Sequence, residues 1–349
     1  MRLHLPGKYT DSSIRKGSQE RTQQEDGKGM TPEMEFKVSP SPHLWRGRST
    51  SKIMYLTLLA LLLPTAAGIY FFGYRALLVI LVSVSFAVLT EVLVKKLRGR
   101  PFVMDGSAII TGLLLALVLP PTIPLWMVAV GSVFSIAIVK EAFGGLGHNI
   151  FNPVLGGRAF LTACFSVEMT TWIKPMGFAI DTIIATTPLD EGFVWSWRLA
   201  ARLDLYKDMF LGDTAGSIGT TSALLILIGG GILLALKIID WRVPLAYVGT
   251  VAVLSLVMGA DPILQMLAGG LMLGAFFMAT DPVTSPITRR GRIIFAVGCG
   301  VLTIIIRRFG GMPEGVFYAI LFMNAVTPLI DRYVKVRPFG FQKVVQSAT

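Results

Sequence analysis

The chain has 349 residues, of which 53% are hydrophobic and 15% charged, with a mean hydropathy of +0.65. A soluble globular chain carries about 25% charged residues, so this balance excludes a cytosolic enzyme, a disordered protein and a secreted disulfide scaffold, and makes a bilayer the solvent. The formal charge of +11 points to Lys and Arg gathered in cytoplasmic loops during insertion, with no nucleic acid as partner.

The first 52 residues are rich in Ser, Gln, Gly, Pro, Lys and Arg and read as a disordered cytoplasmic tail (1–52). No apolar stretch near Met1 marks a signal peptide. Apolar runs then fall at 53–70, 76–94, 107–119, 124–139 and 154–171, a first five-span repeat over 53–171. An external loop at 172–220 separates them from runs at 221–236, 244–258, 262–278, 292–306 and 315–330. These form a second five-span repeat over 221–330, before a cytoplasmic tail at 331–349. Several runs fall short of the roughly 20 residues that a full span requires. The third, ending at Pro120-Pro121, and the eighth, ending at Asp281-Pro282, are read as re-entrant or broken. With the N-terminus inside, 24 basic residues lie on inner segments and seven on outer ones, so both termini are cytoplasmic.

Phe143-Gly144-Gly145 with Phe151 returns as Phe309-Gly310-Gly311 with Phe317, both FGG-x5-F, at an offset of 166. Five spans per half is odd, so the halves must be inverted relative to one another, and inverted repeats with broken helices place functional sites near their interface. The expected fold is an all-α integral membrane protein of about ten transmembrane segments in two inverted five-span repeats, as in urea transporters. Cys164 and Cys299 lack CxxC spacing, and three histidines (His4, His43, His148) are scattered, so no metal or iron–sulfur site is expected from this chain.

Read from residues alone, Asp181 to Leu189 is a turn, since Thr187 before Pro188 is forced extended. Gly144 to Pro153 is either a flexible turn with an Asn cap or a ligand pocket. Arg158 is the basic residue placed within a span, a site or the partner of a carboxylate or backbone carbonyls. Asp281 is a helix stop or a ligand. Glu91 and Glu141, near inner span ends, either snorkel or line an ion path.

From about Met34 onward the chain resembles RnfD, the D component of the Rnf electron-transport complex, and less closely NqrB, the B component of the sodium-pumping NADH:quinone reductase. The resemblance rests on FGGLGHNIFNP at 143–153, DTIIATTPLD at 181–190, MLGAFFMATDPVTSP at 272–286, RRFGGMPEGVFYA at 307–319 and TPLID at 327–331, in that order. It implies FMN joined through a phosphoester to Thr187 by a separate flavin transferase that recognises Asp181 six residues earlier. Ile184 and Thr186 depart from the usual D-x-x-S/T-x-A-T pattern, which makes Thr186 a rival acceptor. It also implies a second, non-covalent flavin such as riboflavin, with stacking on Phe151 and amide bonds from Asn149 and Asn152, near Arg158 and Asp281. Arg307 and Arg308 are expected near the FMN phosphate, with interfacial anchoring as the competing account.

The implied function is a flavin-carrying subunit of a ferredoxin:NAD+ oxidoreductase that drives Na+ or H+ transport. The implied location is the bacterial inner membrane, embedded in lipid, with FMN on the outer side. Having no GxGxxG after a strand and no Cys cluster, the chain itself carries no catalytic residue, NAD site or ferredoxin site. Those fall to the implied partners, the other components of the Rnf complex: the iron–sulfur membrane proteins RnfA and RnfE, the FMN protein RnfG, the iron–sulfur protein RnfB and the NADH-binding protein RnfC. The alternatives are a quinone-reductase component and a urea-type solute channel without redox cofactor.

Overall fold

Ser49 sets the first helix start: its hydroxyl accepts from Lys52 N at 3.2 Å, and α1 runs Thr50–Leu97. This start lies three residues inside the segment expected to be tail. The computed structural model describes residues 49–100, 104–175, 202–310 and 314–335, all within the unit Arg48–Thr349. Every regular element among the described residues is helical.

A straight helix of 48 residues would be about 72 Å long, yet both ends of α1 meet the same short segment. Gly106 packs on Met54 and Tyr55 near the start of α1. Glu91, near its end, pairs with Lys140, which in turn bonds Ser107. The reversal occurs at Gly73, whose φ of 65° and ψ of −146° lie outside the helical region. The helix is therefore a hairpin with arms 50–72 and 74–97.

After it come α2 (Ser107–Leu117), α3 (Leu125–Phe134) running into a π-helical turn π1 (Ser135–Glu141), α4 (Pro153–Cys164) and α5 (Ser166–Thr170). Beyond the next undescribed stretch follow α6 (Arg202–Leu211), α7 (Ala223–Ala235), α8 (Arg242–Val257) and α9 (Pro262–Leu267). The last are α10 (Leu271–Leu273) with a second π turn, π2 (Gly274–Met278), then α11 (Arg289–Phe309) and α12 (Gly315–Tyr333). By length and composition α1 is the helix among the described residues that qualifies to cross a membrane, whereas the apolar α2, α7 and α8 are shorter. Two expected runs are divided. Residues 154–171 break at Phe165, and 262–278 break at Gly269 and Gly270, where φ is 63° and 70°.

Shifting the sequence by 166 residues lays the arms of α1 on α7 and α8, α2 on α10 and π2, α3 with π1 on α11, and α4 on α12. One matched pair, α4 and α12, begins at opposite ends. Asn152 starts α4 at the end of the molecule where Ser107, Lys140 and Asp281 gather. Glu314 precedes α12 at the other end, beside Thr221 and Ala268. The α2 helix is enclosed, with Leu113 to Leu119 at most 4% exposed. Gly112 permits that closeness, since an added Cβ would lie 2.8 Å from Val84 Cα.

At the end away from Ser107 the chain is pinned twice. Thr122 Oγ1 donates to Thr171 O at 3.2 Å, and Trp172 is buried. The Tyr206 hydroxyl on α6 donates to Asp261, the N-cap of α9, while Met209 packs with Leu264 and Ala268.

Candidate functional site

The end where Ser107, Asn152 and Asp281 gather holds a cavity of about 170 Å³. Its polar wall comes from segments far apart in sequence: Ser107 at the start of α2, Lys140 in π1, Asn149 and Asn152 before α4, and Thr280 and Asp281 after π2. Ile110, Leu114, Leu233, Phe276 and Phe277 supply the apolar wall.

Local chemistry fixes these groups. Asn152 caps α4, its Oδ1 accepting from Val154 N at 3.0 Å, with Pro153 at the first helical position where a missing N–H costs nothing. Asn149 Nδ2 donates to Phe151 O at 3.0 Å, leaving its carbonyl end for a ligand. Gly144, Gly145 and Gly147 have φ of 123°, 95° and 93°, which lets the preceding turn fold tightly enough to present both amides. Asp281 Oδ1 accepts from Val283 N at 3.3 Å and Oδ2 from Thr284 Oγ1 at 3.2 Å. Burial pushes its carboxyl above the ordinary Asp range, outweighing the lowering by those two hydrogen bonds.

Behind the cavity lies a buried ionic cluster. Lys140 Nζ is 2.6 Å from Ser107 Oγ and 3.2 Å from Glu91 Oε2, and Glu91 Oε1 is 2.5 Å from Lys95. Ser107 Oγ donates to Asp105 Oδ1 at 2.6 Å. Burial alone would raise the Asp105 carboxyl, but the bonds from Ser107 and the charges of Lys140 and Lys95 hold it below its ordinary value. The snorkelling reading of Glu91 and Glu141 is corrected here: their side chains are 2% and 1% exposed. Glu91 is held by two lysines, and Glu141 Oε2 lies 3.9 Å from Arg98. Lys140, Ser107 and Asp105 were not singled out in the sequence. The signal was present in Lys140 itself, a basic residue at the end of an apolar run.

The cavity thus brings together Asn149, Asn152 and Asp281 of the expected site residues. It does not include Phe151, which is half-buried outside the lining. Nor does it include Arg158, which pairs with Glu314 and lies 4.1 Å over the Phe317 ring, the carboxylate partner being one of the two accounts expected of it. Arg307 Nη1 donates to Gln265 O and Oε1, both at 2.7 Å, and Nη2 to Ala268 O at 2.9 Å. These two nitrogens satisfy the end of α9, while Arg307 Nε has no hydrogen-bond partner among the described residues. Arg308 is exposed at the end of α11. Asp181, Thr186 and Thr187 lie outside the described residues.

The residues present fit a non-covalent flavin. A flat tricyclic ring needs apolar walls, here Phe276, Phe277 and Leu114, and its carbonyl and N–H edge needs donors and acceptors, here the two asparagines and Ser107.

A model of the family described as NQR2, RnfD, RnfE matches residues 37–340. The chain is similar to the D subunit of the proton-translocating ferredoxin:NAD(+) oxidoreductase complex of Clostridium ljungdahlii, 47% identical over 323 residues, 88% of this chain and 97% of the relative. It is 46% identical over 321 residues to the D subunit of the Na(+)-translocating ferredoxin:NAD(+) oxidoreductase complex of Acetobacterium woodii, covering 90% and 99%. The D subunit of the ion-translocating oxidoreductase complex of Escherichia fergusonii is 39% identical over 353 residues, covering 89% and 100%.

Proposed function

The chain belongs to the NQR2, RnfD, RnfE family, and from that premise we propose that it is the flavin-carrying membrane component, RnfD, of an ion-translocating ferredoxin:NAD+ oxidoreductase. It relays electrons between flavin and iron–sulfur centres held by partner subunits. The proton-translocating and Na(+)-translocating relatives have nearly equal identity to this chain, 47% and 46%, so identity alone favours neither ion.

In this reading the protein sits in the bacterial inner membrane with both termini cytoplasmic. Its two five-helix halves are inverted repeats, a reading supported by the offset of 166 and by the opposite directions of α4 and α12. One FMN is esterified to Thr187 on the outer face, the assignment resting on the six-residue step from Asp181. A second, non-covalent flavin occupies the inner cavity.

The single observation that carries the second assignment is the convergence of Asn149, Asn152 and Asp281 on one cavity from loops more than 120 residues apart. When bound there, the flavin supplies one-electron and two-electron redox chemistry. The protein holds and orients it. Asn149 accepts from and Asn152 donates to the ring edge, the Phe276 wall excludes water, and the cap at Val154 keeps Asn152 fixed. The test is flavin release from the purified chain, separated from its partner subunits. The parent should yield one extractable flavin beside one that stays on the denatured chain. Replacing Asn149 and Asn152 together by Leu removes two hydrogen bonds worth about 1 kcal/mol each, so the extractable flavin should be lost and the attached one kept. A parent that releases no flavin sinks the cavity assignment.

A further inference from the structure

Lys140 lines the cavity with its side chain 2% exposed. An ammonium at such depth is expensive, and a methionine of similar length would pack there without that cost. Balancing Glu91 does not by itself require it, because Lys95 already lies 2.5 Å from Glu91 Oε1. The π1 turn makes the arrangement possible: its wider winding turns consecutive residues less far around the axis, and Lys140 and Glu141 both face inward. An ammonium has three donors. Ser107 Oγ takes one at 2.6 Å and Glu91 Oε2 another at 3.2 Å, which leaves the third for an acceptor in the cavity.

We propose that Lys140 is the electrostatic residue of this cavity, donating to the oxygen edge of the bound flavin and stabilising the negative charge that arrives with an electron. The proposal rests on the flavin reading above and adds to it the group that sets the reduction potential. A flavin held here would take one electron from a neighbouring carrier of the complex, and the Lys140 ammonium, braced by Ser107 and Glu91, would be the positive charge facing the charge so added. Glu91 works from behind, reducing the field of Lys140 at the ring. The other charges facing this ammonium are Lys95 beyond Glu91, Asp105 through Ser107, Asp281 on the cavity wall and the adjoining Glu141.

The two partners predict opposite effects, which a role limited to holding the helices together does not. In the purified complex, spectroelectrochemical titration of the extractable flavin should show a lower potential in Lys140→Gln. The expected size is at least a tenfold fall in the reduced-to-oxidised ratio at fixed applied potential, which is about 59 mV for one electron. Glu91→Gln should raise the potential, and Lys140→Arg should stay near the parent. No shift, or shifts of the same sign in Lys140→Gln and Glu91→Gln, overturns the proposal. Should Lys140→Gln fail to assemble, Glu91→Gln decides alone: a rise supports the assignment and an unchanged potential defeats it. A parent complex that releases no flavin on denaturation is a different failure, because it removes the occupant before any potential is read.

Discussion

At the scale of single residues, side chains of one type have been put to different uses by their surroundings. Asp281 and Asp105 both face the end of the molecule that holds the cavity, but burial raises the first and its hydrogen bonds and lysine neighbours lower the second. Their contributions to stability therefore carry opposite signs. Folded Asp281 keeps its proton while an unfolded chain has lost it, so its contribution falls as pH rises from the ordinary Asp value through the raised one. Asp105 contributes fully above its ordinary value, and that contribution is lost as pH falls through the lowered one. Thermal unfolding of the detergent-solubilised protein across about pH 3 to 7 should show a flatter upper limb in Asp281→Asn and a flatter acid limb in Asp105→Asn. Thr187, proposed as the flavin anchor, is a different case. In Thr187→Ala the flavin that survives denaturation should vanish entirely, since no other oxygen of that residue can form the ester. Thr186→Ala moves the segment toward the usual recognition pattern and should retain loading. Tandem mass spectrometry of the peptide from Asp181 to Arg198 decides between them, and FMN mass on Thr186 would defeat the assignment.

At the scale of elements, a few close approaches fix how the helices pack. Arg158 on α4 reaches Glu314 ahead of α12, with side chains 5% and 12% exposed. Arg158→Ala strands a largely buried carboxylate and should cost on the order of 3 kcal/mol, whereas replacing both partners by apolar residues should cost far less. A double-mutant cycle on thermal stability measures the difference. Gly112→Val would drive a side chain into the backbone of Val84 and the carbonyl of Ser83, now 2.8 and 2.9 Å from the site of an added Cβ. Overpacking of this kind should cost about 1–3 kcal/mol, seen as a lower unfolding temperature.

The apolar runs made most of the helices legible in advance, because composition sets what lipid tolerates, and the Gly-rich turn before α4 pointed to Asn149 and Asn152. The pairing of Glu91 with Lys140 was not legible: the two are 49 residues apart, and the π turn that swings Lys140 inward has no periodicity of its own to read. The contacts of Arg307 were not legible either, since a guanidinium suits many acceptors, and only the placement of α9 brings Gln265 and Ala268 to it.

At the scale of the whole molecule, sidedness decides whether the two proposed flavins lie on opposite faces. A cysteine introduced at Ser196 should react with an impermeant maleimide in intact cells, and one at Ser347 should not. The reverse pattern would place Thr187 inside and overturn the outer assignment. The family match begins at residue 37, so a chain started at Met34 should still assemble into the complex, as checked by co-purification of its partners. Failure to assemble would show that the first 33 residues take part.

The two pins at the end away from the cavity also limit how far an attached group can travel. Residues 122–171 are held through Thr122 and Thr171, and α6 is held through Tyr206 and Asp261. From residue 175 to Thr187 is 12 steps and from Thr187 to Arg202 is 15, so covalent geometry allows at most roughly 43 Å on one side and 54 Å on the other. A flavin esterified at Thr187, as proposed, would therefore be confined between two fixed points of the chain. Within that volume it would meet a partner on the same face at an effective concentration on the order of millimolar, independent of how much free flavin the cell contains.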